Sequence, residues 1–325
     1  MVRLAFLIAV SLALAVACGG SEAIEPSPSA APTATRTARP TRPASPTPTP
    51  APTLEPTPEP TPIPAPTIDV SASHARQGGF LLVRLVNPPT GLGEASVQFN
   101  GGSYTMLPSG DRWFAVIGLS TRFAIGDHPI EVAAAGTPLA SGVLTVGDGG
   151  FEFVSIELPP SSIDLLSDQV AINAERATLA QVYAGFTPER RWSGAWILPA
   201  PGVVTNEFGL MRSINGGAYF PHTGTDIANE KGTAVAAAAS GVVTLARPMY
   251  LYGNVVVIDH GAGVFTSYNH LNSIAVSEGR VITIGDLVGF MGETGFVSGP
   301  HLHWEAIIGG VRTDPTFWTL APVEP

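Results

Sequence analysis

Cysteine, basic charge and long apolar runs are all scarce in this sequence. Of 325 residues only one is cysteine, Cys18, so no disulfide within the chain can staple the fold. Lys and Arg number 16 against 26 Asp and Glu, for a net charge of -10. They form no cluster, and a nucleic-acid backbone needs a basic face, so nucleic acid is excluded as a partner. The longest apolar run, at the N-terminus, is short for a stable membrane span. No HExxH occurs, so a histidine pair with a glutamate base on one helix is not on offer.

Proline and glycine, by contrast, are abundant, at 31 and 36. That exceeds what a compact fold alone uses and predicts a non-globular part. Fifteen of the prolines lie between Pro26 and Pro66, mixed with Thr, Ala and Ser. Such a segment cannot bury enough apolar surface to offset its ordering entropy. At roughly 3 Å per residue where polyproline-like, residues 19–67 predict a stalk reaching on the order of 100 Å. Before it, MVRLAFLIAVSLALAVAC has one early cation, an apolar core and a small-residue end, the pattern of an export signal over residues 1–18. Ala15-Val16-Ala17-Cys18 resembles a bacterial lipobox, with Ala15 where Leu is usual, and implies a lipid on Cys18 that would anchor the chain to a membrane. The expected location is the cell envelope, on the outer side of a bacterial membrane.

From Ile68 to Val146 short apolar runs such as FLLVRLVN, ASVQFNG and RWFAVIGL alternate with Gly, Pro and Asp turns. Six or so runs at this spacing predict a small immunoglobulin-like β-sandwich over 68–150. Its two histidines, His74 and His128, stand alone and read as ordinary packing or surface residues. Residues 164–186 lose the alternation; Leu166, Val170, Ala174, Ala177 and Gln181 lie at helical spacing before Pro188. They predict a short helix in a connector spanning 151–194. From Trp196 onward GTAVAAAASGVV, GNVVVIDHG, GVFTSYNHL, RVITIGDLVGF and HLHWEAIIGG restore a β pattern between Gly-rich turns. The fold class is therefore mainly β: a sandwich, then a mostly antiparallel β-sheet domain over 195–325, joined by a helix.

Five of the seven histidines fall in that last domain: His222, His260, His270, His301 and His303. In HTGTD, His222 and Asp226 share a face whether the backbone is extended or helical, and in HLH the two histidines share a face of a strand. Imidazoles with one carboxylate form a favoured zinc set, whereas magnesium or calcium would want an oxygen-rich one. Spacing alone leaves open which of His301 and His303 is a ligand. His260 reads as structural. Glu305, two past His303, reads equally as a support for a ligand or as a surface carboxylate. Tyr268 and Asn269 are candidates to line a cleft, while Phe208, Tyr219, Phe220 and Trp304 default to core packing.

The ordered set FGLMRSINGGAYFPHTGTDIA, GTAVAAAASGVV, GNVVVIDHG, SYNHL and GETGFVSGPHLHWE resembles the lysostaphin/LytM-type zinc endopeptidases that cut peptidoglycan peptides. The likeness spans roughly 195–317. It implies one Zn2+ held by His222, Asp226 and His303, with His270 and His301 catalytic. It also implies peptidoglycan peptides as substrate, through stem or cross-bridge cleavage. Some relatives that have lost these residues regulate other wall hydrolases, so the alternative is a non-catalytic wall-binding module or an activator of an envelope partner. All five positions are filled here. A serine or cysteine hydrolase is remote, because Cys18 lies outside the folded region and Ser298 lacks a nucleophile-elbow context.

Overall fold

The computed structural model of the protein describes residues 64–71, 74–157 and 164–325. The export signal, Cys18 and nearly all of the Pro/Thr-rich stretch lie outside the described residues.

Eight strands open the described residues: β1 (Thr67–Ser71), β2 (Phe80–Val86), β3 (Ser96–Phe99), β4 (Gly102–Thr105), β5 (Leu107–Ser109), β6 (Arg112–Gly118), β7 (Gly126–Ala134) and β8 (Thr137–Val146). They form two four-stranded sheets, β1-β2-β6-β5 and β4-β3-β7-β8. Leu81, Val83 and Leu85 of β2 and Ala115 and Ile117 of β6 meet Val97, Phe99, Ile130 and Val132 between the sheets. The run FLLVRLV is apolar at almost every position because the strand is covered on both sides. Its alternate residues Phe80 and Leu82 join Trp192, Trp196 and Trp318 in a second core, with the Phe80 and Trp318 rings stacked at 4.7 Å. The sandwich is thus buried against the C-terminal part through large aromatic side chains, which dominate such contacts energetically.

After β9 (Phe153–Ile156) comes helix α1 (Gln169–Tyr183). Asp168 caps it, its carboxylate accepting from the Ala171 N–H at 2.9 Å, a favoured N-terminal residue for that reason. Its inward stripe differs from the one read from the sequence. Ile172, Glu175, Leu179 and Tyr183 are buried, whereas Val170 is 81 % exposed. A carboxylate sits inside the stripe because Glu175 Oε2 accepts from the backbone N–H of Leu251 at 2.9 Å, while its Oε1 has no partner; a charged residue on the inward face hides that face from an apolar-periodicity count.

The remaining strands are β10 (Val203–Asn206), β11 (Met211–Ile214), β12 (Phe220–Pro221), β13 (Thr225–Ala228), β14 (Ala234–Ala236), β15 (Gly241–Met249), β16 (Gly253–Gly261), β17 (Val264–Ile274), β18 (Val281–Ile282), β19 (Leu287–Met291), β20 (His301–Ile308) and β21 (Val311–Thr313), followed by the single-turn helix α2 (Phe317–Leu320). The main path β10-β13-β20-β17-β16-β15-β18 belongs to a ten-stranded sheet. Leu179 and Tyr183 of α1 cover one face, packing on Leu245, Val255, Val257 and Phe265. Val256, Ile258, Trp196 and Trp318 fill the other. Burial on both faces explains why GNVVVIDHG and VFTSYNHL read as continuous rather than alternating runs. The 151–194 connector is not purely helical: β9 pairs in parallel with β11, which pairs with β12, so the connector helps build the C-terminal half.

Candidate metal centre

The site forms on the central strands of the large sheet. β13 and β20 are antiparallel partners in a register that places Asp226 opposite His303 and Ala228 opposite His301. The period-2 alternation of β20 then carries His301, His303 and Glu305 to the same face. His222 enters from the turn before β13. That turn hugs β20: a Cβ on Gly224 would collide with the Trp304 carbonyl and lie 3.0 Å from His303 Cε1. Glycine in HTGTD is therefore required by close approach.

Three donor atoms converge. His222 Nε2 lies 3.1 Å from Asp226 Oδ1, His303 Nδ1 lies 2.8 Å from it, and the two imidazole nitrogens are 3.0 Å apart. All three residues are buried. Two imidazoles and a carboxylate suit zinc, and tetrahedral bonds of about 2.0–2.1 Å space donors by about 3.3 Å. The observed triangle is a few tenths of an ångström tighter, so the donor set fits one Zn2+ with a small opening.

Each ring is held from behind. His222 Nδ1–H donates to the Glu207 carbonyl at 2.9 Å, which leaves Nε2 for the centre. His303 Nε2–H donates to Glu305 Oε1 at 3.2 Å. Glu305 is fully buried and accepts in turn from Arg312 Nε at 3.0 Å. Asn206 Nδ2 donates to Asp226 Oδ2 at 3.0 Å, which fixes the carboxylate and leaves Oδ1 facing the imidazoles. Such outer partners orient ligands and raise their basicity.

The electrostatics follow. Burial pushes the Asp226 carboxyl up, but hydrogen bonds from His222 and His303 outweigh it and hold the group well below the ordinary carboxylate range. Burial alone would lower His303, yet Asp226 and Glu305 raise it to about 9. Burial lowers His222. Burial, then the neighbouring His303 and His301, push His270 down to about 3.

His270 and His301 flank the triad, their ring centroids 4.9 Å apart. His270 Nδ1–H donates to the Thr294 carbonyl at 2.9 Å and His301 Nδ1–H to the Gly299 carbonyl at 2.8 Å. Both are therefore fixed with Nε2 as the free acceptor, and His301 Nε2 lies 3.6 Å from Asp226 Oδ1. His270 also has φ +62°, a left-handed backbone that is uncommon outside glycine and is found where surrounding structure enforces it. The bulged end of β17, where pairing with β19 shifts register after Leu271, supplies that constraint.

A cleft of about 1490 Å³ opens over these groups, lined by residues of α1, β11, β12 and the 296–300 loop. All five residues singled out from the motifs meet at its floor. The other readings divide. His260 is fully buried, bonded to the Ser240 carbonyl and Thr266 hydroxyl at 2.8 Å each, and plays a structural part. Tyr268 does not line the cleft; it is wholly buried, its hydroxyl accepting from the Ala238 N–H at 2.8 Å, because its side chain points to the opposite sheet face from Asn269. Asn269 is buried as well and donates to the His303 carbonyl at 3.0 Å, bracing β20. Phe208 and Trp304 are core residues, whereas Phe220 borders the cleft. Asn206, Glu207, Arg212, Tyr252 and Arg312 were not singled out. Arg212 lies within FGLMRSINGGAYF, but nothing in that run alone marks its side chain, and the others meet the site only through long-range pairing.

Known proteins resemble this arrangement. Residues 220–315 match the profile of Peptidase family M23. Over 103 residues the chain is 47 % identical to the "DD-carboxypeptidase/endopeptidase Mpg" of Neisseria meningitidis, covering 32 % of this chain and 24 % of that protein. Over 90 residues it is 46 % identical to the "Peptidoglycan DD-endopeptidase ShyA" of Vibrio cholerae, covering 28 % of this chain and 21 % of the relative. The match thus spans about a quarter of the length of these curated relatives. A crystal structure of a candidate peptidase M23 from Pseudomonas aeruginosa superposes with a TM-score of 0.59 at 26 % identity, covering 76 % of this chain and 96 % of the other. That coverage reaches well beyond the 220–315 segment.

Proposed function

We propose that this chain, which carries a Peptidase family M23 domain over residues 220–315, is a zinc-dependent endopeptidase that hydrolyses peptide bonds of bacterial peptidoglycan. The observation that carries the reading is the triangle of His222 Nε2, Asp226 Oδ1 and His303 Nδ1 with edges of 2.8–3.1 Å at the floor of a cleft. These three atoms would hold the zinc. When bound, zinc supplies a Lewis acid for the scissile carbonyl and brings the pKa of a water towards about 7.

The chain's own groups do the rest. Thr294 and Gly299 pin the two Nδ1–H groups, so His270 and His301 each present an Nε2 lone pair where a water must lose a proton. His301 is the more open of the two, with its side chain 16 % exposed. We assign it the proton transfer, from water and then to the leaving amine. His270, buried in the wall, orients the water by accepting a hydrogen bond. Asn206 and Glu305 keep the ligands aligned.

We read residues 195–325 as the catalytic domain, with 151–194 walling its cleft. Residues 68–150 read as an immunoglobulin-like module; the strand orders β1-β2-β6-β5 and β4-β3-β7-β8 support this, matching an ABED sheet facing C′CFG. The N-terminal signal, Cys18 and the stalk fit an exported, lipid-anchored chain reaching into the wall. Digestion of purified peptidoglycan, followed by mass spectrometry of the released peptides, tests the activity. Zinc-loaded protein should release them and His301→Ala should not; full release by His303→Ala protein stripped of zinc would refute the mechanism.

A further inference from the structure

Arg212 lies on the middle strand of the small sheet walling the cleft, paired with Phe220 on one side and Val154 on the other. Its guanidinium stands over the Phe220 ring, 5.7 Å from the centroid. Among the described residues it forms no hydrogen bond or ion pair, and its Nε is buried without a partner. A desolvated donor left unpaired costs free energy, and a desolvated cation costs more. The nearby charges, by contrast, each have partners for at least one atom, although Glu175 Oε1 and Glu305 Oε2 are also left without one. Asp226 is taken by His222, His303 and Asn206. Glu175 is turned onto the N–H groups of Leu251 and Tyr252. Arg312 is paired with Glu305. In a chain of net charge -10, the cleft wall thus holds a half-buried guanidinium that no side chain hydrogen-bonds, with the Asp226 carboxylate acting on it only through space.

We propose that Arg212 binds a free carboxylate of the peptide substrate and thereby selects carboxylate-bearing peptides over their amidated forms. A guanidinium is the side chain whose planar fork matches a carboxylate, and burial strengthens such a pair. Its seat on a paired strand rather than a loop fixes the fork before substrate arrives. The inference rests on the peptidoglycan-endopeptidase reading for the identity of the peptide, but not for the existence of the anion site.

The test compares one soluble cross-linked peptidoglycan peptide with free carboxylates and the same peptide with those groups converted to carboxamides. With zinc-loaded wild-type protein, kcat/KM for the carboxylate form should exceed that for the amide by about 10- to 100-fold. In Arg212→Gln the ratio should fall towards one, and Arg212→Lys should restore part of it, since it keeps charge but not the fork. Equal losses on both peptides, as for a group stabilising the transition state or the fold, would overturn the proposal; so would an unchanged ratio. The same peptides are then titrated calorimetrically into metal-free wild-type and Arg212→Gln protein, where no cleavage occurs. Tighter binding of the carboxylate form by wild type alone upholds the site, and equal or absent binding of the two overturns it. If zinc-loaded wild type cleaves neither peptide, the endopeptidase reading fails, and the metal-free titration still decides on Arg212.

Discussion

Replacing Glu305 by Gln should separate what this carboxylate does for the metal from what it does for the fold. Glu305 is fully buried, with Oε1 accepting from Arg312 Nε at 3.0 Å, His303 Nε2 at 3.2 Å and Tyr252 Oη at 3.5 Å. Burial raises its carboxyl, but Arg312 and His303 outweigh that and hold it down at about 2, so it is ionised at neutral pH. Glutamine keeps the shape and an acceptor oxygen but removes the charge. Losing one member of a buried ion pair costs about 3–5 kcal/mol. The side chain of Arg312 is 30 % exposed, and the amide oxygen still accepts a hydrogen bond, so we expect less than that, about 2–3 kcal/mol. The weaker brace on His303 should also raise the zinc Kd by about 10- to 100-fold. Urea unfolding of metal-free protein reads the first effect, and competition with a chromophoric zinc chelator reads the second. A double variant, Glu305→Leu with Arg312→Met, should recover much of the stability, because an apolar pair can replace a buried ion pair, but not the zinc affinity. Zinc affinity within twofold of wild type in Glu305→Gln would refute the role at the metal and leave Glu305 as the counter-ion of Arg312 alone.

Other perturbations probe neighbouring parts of the account. Gly224→Ala should lose zinc binding, because the new methyl group meets the Trp304 carbonyl and pushes HTGTD off β20; retention of full occupancy by atomic absorption would contradict the close-approach argument. Asn206→Ala frees Asp226 Oδ2 from its 3.0 Å hydrogen bond and should weaken zinc by about 10-fold in the chelator assay, with an unchanged Kd counting against it. His260 is lowered by burial from 6.5 to about 4, so between those values the unfolded chain holds a proton that the folded chain lacks. The His260 contribution to stability should therefore be full above pH 6.5 and fall by up to about 3 kcal/mol as pH drops towards 4. Urea midpoints across that range should show the slope in wild type and a flatter one in His260→Gln; identical slopes would sink the assignment. Leu179→Ala should cost about 2–5 kcal/mol by opening a cavity between α1 and Val255, Val257 and Phe265, measured by thermal unfolding.

Much of the site could be read from the residues, because strand periodicity and short-range spacing encode it. HLH predicted one shared face, and β20 delivers it by simple alternation. HTGTD gave the second half, and its glycine proves necessary for packing against β20. What was hidden depends on contacts between distant residues. The inward face of α1 escapes an apolar count because it holds Glu175, which accepts from the backbone N–H of Leu251, 76 residues away. Tyr268 sits in the core instead of the cleft because a tyrosine hydroxyl can be satisfied there by a backbone N–H, here that of Ala238. Arg212 and Arg312 stood as isolated charges in the sequence; only the folded sheet shows that one has a carboxylate partner and the other does not.

Crystals grown with zinc, with anomalous diffraction recorded on both sides of the zinc absorption edge, test the central claim most directly. The account predicts one peak in the cleft, bonded to His222 Nε2, Asp226 Oδ1 and His303 Nδ1 at about 2.0–2.2 Å, with His270 and His301 outside bonding distance. A peak bonded to His301 in place of His303, or no peak in the cleft at full zinc, would contradict it.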